Sequence, residues 1–281
     1  MIELLLGIAL AAAVPLGVTE VRRALGLGAT VRPGAFVTGR PAIATVTAAA
    51  IVSLTLPRGP VAGVLVIPWL AFTILLASTS LIRVISVVRA ANRRPDPTTL
   101  GVLASVGFLV VGASWLEIDR VGLRPFGFAT TIVLLTAVHF HVAGFLLTLA
   151  GSLAAGRRPE SSVSVAVLAL VLGTPLTALG FFGYPAASWI GALLVAGGGI
   201  GIGLATISLG RTPDRRGEAR PALVIGGATL LITMPLAIAY ATGSTFGIAV
   251  LDIPAMAAVH GGLNVVGFAI PTMIGWSRTT A

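Results

Sequence analysis

The chain has 281 residues, 56% of them hydrophobic and only 10% charged, with a formal net charge of +9. A soluble domain usually carries about 25% charged residues, so this composition is that of a multi-span membrane protein. There is no cysteine, and all 18 basic residues are arginine; disulfides, thiolate metal sites, cysteine nucleophiles and lysine bases are therefore excluded.

With no water in the hydrocarbon to satisfy backbone groups, the spanning segments must be helices. The first apolar run, "MIELLLGIALAAAVPLGV", has Glu3 where a secretory leader has basic residues, and it reads as a retained helix over 2–19. Later runs, bounded by charge or by Pro and Gly, predict helices over 41–57, 60–82, 99–116, 129–155, 161–181, 186–209, 219–242 and 255–276. "LPRGP" (Leu56 to Pro60) and "FGYP" (182–185) are tight turns between neighbouring helices. "GGGIGIGLATISLG" (Gly197 to Gly210) lacks the strand and the later acidic residue of a dinucleotide loop. It reads instead as small residues that let helices pack closely. The expected fold is all-α: a single polytopic transmembrane helical bundle of about nine helices, occupying 1–281.

The arginines orient this bundle. Fifteen fall in the loops after helices 1, 3, 5 and 7 or in the C-terminal tail, and three (Arg58, Arg120 and Arg124) fall on the opposite side. The positive-inside rule then places the N-terminus outside and the C-terminus in the cytoplasm. The expected location is the cytoplasmic (inner) membrane of a bacterium. Because the arginines lie in short loops rather than in a basic domain, membrane lipid is the expected partner and nucleic acid is not. Glu20, Asp96, Glu160, Asp214 and Glu218 mix with the cytoplasmic arginines and read as solvated loop charge. Trp115, Trp189 and Trp276 lie near span ends and read as interface anchors; Trp69 lies within a span and reads as packing.

Polar groups then enter the membrane from the outer side. "LLTAVHFHVAGFLL" puts His139 and His141 in helix 5, with His139 about 15 Å deep at 1.5 Å per residue. "HGGLNVVGF" places His260 and Asn264 four apart on one face of helix 9. His139 and His141 are about 200° apart on a helix, so one faces a cavity and the other bonds to a neighbouring helix. Glu3, Glu117, Asp119, Arg120 and Asp252 fall on the same outer side. Asp252 is either a helix cap or part of a site above His260, and Tyr240 is either an anchor or a pocket hydroxyl. Intramembrane ionisable groups usually face the bundle interior or a wet cavity. One outer-facing pocket between helices 4, 5 and 9, with helices 1 and 8 contributing, is the expected common destination.

"GLRPFGF", "VLLTAVHFHVAGFLL" and "AVHGGLNVVGFAI" together resemble the YndJ-like family of bacterial membrane proteins, mainly over 115–151 and 252–276. The resemblance implies a polytopic membrane protein and carries no chemistry with it. The residues themselves suggest three functions. The first is a cofactor-independent enzyme that isomerises or cyclises a lipid-soluble substrate, such as an isoprenoid or polyketide epoxide or alkene, by proton transfer. In it His139, His141 and His260 are the proton-transfer groups and Asp119, Glu117 or Asp252 is the acid. Asn264, Arg120, Glu3 and Tyr240 would contact the substrate, and no metal is expected. The second is a redox protein holding haem between two histidines. The third is a small-solute or proton-coupled transporter, for which Pro175 and Pro235 supply kinks but no internal repeat supplies alternating access.

Overall fold

Every run expected to be a helix forms one. In this computed structural model the described residues are 1–27, 39–92, 94–212, 219–248 and 251–279. Among them there are nine helices and no strand. Eight are long and apolar enough to cross a membrane: α1 (Ile2–Ala24), α3 (Pro60–Ala91), α4 (Pro97–Val121), α5 (Thr130–Arg157), α6 (Ser161–Phe182), α7 (Pro185–Gly210), α8 (Ala219–Phe246) and α9 (Ile253–Thr279). The ninth, α2 (Arg40–Thr55), has 16 residues. At 1.5 Å per residue it is about 24 Å long, short of a ~30 Å hydrocarbon core. Arg32, Arg93, Asp214, Arg215, Arg216 and Glu218 lie outside the described residues.

Local chemistry sets the helix ends. Pro60, Pro97 and Pro185 open their helices, where a missing N–H costs nothing. Asp96 and Asp252 cap α4 and α9 by accepting from the backbone N–H of Thr99 (3.0 Å) and Ala255 (2.7 Å). Gly122 closes α4 at φ 83°, a left-handed conformation that suits glycine. The helix α3 runs nine residues past its expected end at Ile82, because nothing between Arg83 and Ala91 breaks it. Four stretches widen into π-helix: Ala9–Ala13 in α1, Phe140–Leu147 in α5, and Ala257–Gly261 and Leu263–Ala269 in α9. Such bulges are frequent at functional sites. His141, His260 and Asn264 lie within them, and His139 immediately precedes one.

The contacts fall into two compact units, Ile2–Leu146 and Leu147–Ala281, with the boundary inside α5 at the end of its π-helical stretch. In the N-terminal unit, α3 packs on α4 and α4 on the first half of α5. Gly17 of α1 admits Phe145 and Leu146 of α5, which would lie 2.8–3.1 Å from any β-carbon there. In the C-terminal unit, α7 is the central helix between α6 and α8. The glycine run supplies the close approach expected of it. A β-carbon on Gly198 would lie 2.7 Å from the Ala166 carbonyl oxygen of α6, and one on Gly203 2.8 Å from that of Gly227 of α8.

Two expectations about placement are corrected. Glu20 is not a solvated loop charge: it is 1% exposed and pairs with Arg23 at 2.6 Å, because α1 continues past its expected end at residue 19. Trp276 is not an interface anchor but is buried in the C-terminal unit, since α9 also continues beyond it.

Candidate functional site

The residues expected to share one pocket divide between the two units. His139, His141, Glu3, Glu117, Asp119 and Arg120 belong to the first; His260, Asn264, Tyr240 and Asp252 belong to the second.

In the N-terminal unit a polar column runs along the α3–α4 contact. At its end, Arg58 in the turn before α3 donates to Asp119 Oδ1 through Nε and a terminal nitrogen, both at 3.0 Å. Arg120, 2% exposed, donates to the other Asp119 oxygen at 3.3 Å and to the Leu56 carbonyl at 2.6 Å. The Gly59 N–H donates to the Arg120 carbonyl at 2.8 Å. Glu3 of α1 lies 3.7 Å from Arg58. Two of the three arginines counted on the outer side are thus tied down by carboxylates. One turn deeper, Glu117 crosses Gly63: its Oε1 would lie 3.2 Å from a β-carbon at that glycine. Its Oε2 is buried, and no donor among the described residues reaches it.

Deeper again lies His141, fully buried. The Trp69 indole donates to its Nε2 at 3.1 Å, and its Nδ1 lies 2.8 Å from the Ala137 carbonyl oxygen. An indole N–H only donates and a carbonyl only accepts. The imidazole is therefore neutral with its proton on Nδ1, and both nitrogens are engaged. Gly112 makes room for it: a β-carbon there would sit 2.8 Å from Nδ1. His139 points the other way. It is exposed, with Nδ1 2.8 Å from the Leu135 carbonyl. His141 is thus the ring that bonds to a neighbouring helix, and His139 is exposed and bonds within its own helix.

In the C-terminal unit, the π-helical stretch of α9 lies against α8. His260 Nδ1 lies 3.1 Å from the Thr233 carbonyl oxygen. The Thr233 hydroxyl donates to Asn264 Oδ1 at 3.1 Å, and the Asn264 amide donates to the His260 carbonyl at 2.8 Å. These three residues close a ring of hydrogen bonds between the two helices. Pro235, two residues after Thr233, interrupts the α8 ladder here because it has no N–H. A turn away, the Thr229 hydroxyl reaches the Gly267 carbonyl at 3.0 Å. Tyr240 is half-buried on α8, about two turns beyond Thr233. Asp252 acts as the cap of α9. The sequence reading missed Trp69 as a histidine partner, as well as Arg58 and Thr233. An indole in register with a glycine and a histidine on two other helices was the available signal for the first; a threonine two residues before an in-helix proline was the signal for the last.

The profile of the YndJ-like protein family matches residues 4–268. The chain belongs to the YndJ-like family. The match extends well beyond the two blocks that carry the motif resemblance, and takes in α1 to α4. A similar protein is the "Uncharacterized membrane protein YndJ" of Bacillus subtilis (strain 168), 28% identical over 189 residues. That alignment takes in 62% of this chain and 32% of the relative, so the chain spans about a third of the curated relative it matches. No solved structure matches the chain. The family and the eight apolar spans identify a multi-pass bacterial membrane protein.

Proposed function

We propose that this YndJ-like protein is an integral-membrane enzyme that isomerises or cyclises a lipid-soluble substrate by acid/base, non-redox chemistry, with His260 as the proton-transfer group. An isoprenoid or polyketide bearing an epoxide or alkene is the substrate class. The observation that carries this reading is the bond from His260 Nδ1 to the Thr233 carbonyl. It assigns the ring proton to Nδ1, so in the neutral ring Nε2 holds the lone pair of a base. A base oriented by a third group is the arrangement that proton-transfer sites use. The hydroxyl of Thr233 and the amide of Asn264 hold that arrangement in turn, on a helix pair rather than a loop. His141 is held in the N-terminal unit by Trp69 and the Ala137 carbonyl and suits a positioning role.

The test compares lipid extracts of cells expressing the wild-type chain, His260→Gln or an empty vector. The expected result is a species of unchanged mass and shifted retention, present with the wild type and lost in His260→Gln, while that variant still extracts as folded protein. Identical extracts from all three overturn the reading. A Soret absorption band in the purified protein that disappears on histidine substitution replaces it with the haem alternative.

A further inference from the structure

The N-terminal unit holds a carboxyl group, Glu117, with one oxygen buried and without a hydrogen-bond partner among the described residues. We infer that Glu117, lying across Gly63 between α3 and α4, is a site that takes up and releases a proton inside the membrane. This does not rest on His260, which belongs to the other unit.

The argument begins with how the neighbouring charges are used. Two guanidiniums at this end of the unit, Arg58 and Arg120, pair with carboxylates. Two carboxylates answer them: Asp119 bonds to both, and Glu3 lies 3.7 Å from Arg58. That set is electrically balanced before Glu117 is counted. Arg120 completes its bonding with the Leu56 carbonyl and turns neither terminal nitrogen to Glu117. Its Nε, three residues along the same helix, is buried and also does not bond to Glu117. Residues three apart on a helix are side-by-side neighbours, so the missing pair reflects side-chain direction rather than distance along the helix.

Glu117 is therefore placed differently from Asp119, although the two are only two residues apart. Asp119 is engaged on both oxygens by cations. Glu117 presents one oxygen to the α3 backbone at Gly63 and buries the other where no donor among the described residues reaches. His141 is also brought against α4, deeper at Gly112, and both its nitrogens are spoken for. An ionised carboxylate buried without a partner is costly; adding a proton removes the charge and gives the group a donor. The step is the association of one proton with one carboxylate oxygen, with no other bond made or broken. By the arginine asymmetry this site lies on the outer side of the membrane. The cluster formed by Arg58, Asp119 and Arg120 lies at the same end of α4, and its Arg58 is about one-third exposed.

The test uses the full chain in detergent micelles and dicyclohexylcarbodiimide, an apolar reagent that forms stable adducts with protonated carboxyls. Peptide mass spectrometry locates the adduct. The expected result is labelling at Glu117 at neutral pH, at least several-fold above that at Asp119 or Glu3, which declines as the pH is raised. Infrared spectra of wild type and Glu117→Gln provide a reading that needs no reagent access: a protonated-carboxyl C=O band should be present in the first and missing from the second. Identical infrared spectra together with unlabelled Glu117 overturn the inference. Labelling that sodium chloride suppresses at constant pH, and potassium chloride does not, overturns it in favour of a sodium site.

Discussion

The indole N–H of Trp69 on α3 donates to Nε2 of His141 on α5, 3.1 Å away, and the two rings stack with centroids 6.0 Å apart. This bond spans 72 residues of sequence and joins two side chains that are both fully buried. It answers the cost of placing an imidazole in a dry interior: one nitrogen accepts from the indole, the other donates to the Ala137 carbonyl at 2.8 Å.

Trp69→Phe keeps most of the packing and removes the donor. Leaving His141 Nε2 buried and unsatisfied should cost about 1–3 kcal/mol. Combining it with His141→Leu, which removes the acceptor as well, should restore part of that loss. Thermal unfolding of the four proteins in detergent, read as a double-mutant cycle, checks the coupling. Strict additivity would show that the bond contributes nothing.

The glycines of α7 should not be equivalent. A β-carbon at Gly203 would lie 2.8 Å from the Gly227 carbonyl oxygen, whereas one at Gly197 meets nothing within 4 Å. Gly203→Ala forces α7 and α8 apart and should destabilise by about 1–3 kcal/mol. Gly197→Ala should be neutral or stabilising by up to about 1 kcal/mol, because it only removes backbone freedom. The two unfolding midpoints should therefore move in opposite directions from wild type or differ clearly; equal midpoints would contradict the α7–α8 contact.

Asp96 caps α4 from outside the span, accepting from the Thr99 N–H at 3.0 Å and the Thr99 hydroxyl at 2.7 Å. Burial pushes its carboxyl up, but the Thr99 bonds outweigh burial and hold it below the ordinary value of 3.8. A folded value below the unfolded one contributes stability at higher pH, and that contribution is lost as the pH falls through the folded value. Asp96→Ala should therefore cost about 0.5–2 kcal/mol at neutral pH and progressively less in acid. Unfolding midpoints of the two proteins measured across pH should converge at the acid end; a constant gap would mean that the carboxylate charge is not what caps the helix.

Solvation by hydrocarbon is a demand each segment meets alone, so the helices were legible one at a time. The apolar runs, the prolines at N-termini and the arginine asymmetry are local in sequence, and all nine expected helices form. The cap at Asp252 was one of the two roles its sequence position offered, whereas Asp96 read only as loop charge although its bond to a backbone three residues away is equally local. The presence of buried polar groups was legible too, because a histidine or carboxylate inside an apolar run stands out.

What each of those groups touches was not legible. Glu117 and Asp119 look alike in "SWLEIDR", yet one is bonded to Arg58, 61 residues distant, and the other faces Gly63. His139 and His141 differ as sharply, because Trp69 and Gly112 meet only one of them. A helix presents its residues at fixed angles and heights. Whether a neighbouring helix meets a given side chain with a donor, a cation or an empty glycine depends on the register between helices, and packing of the assembled bundle sets that register.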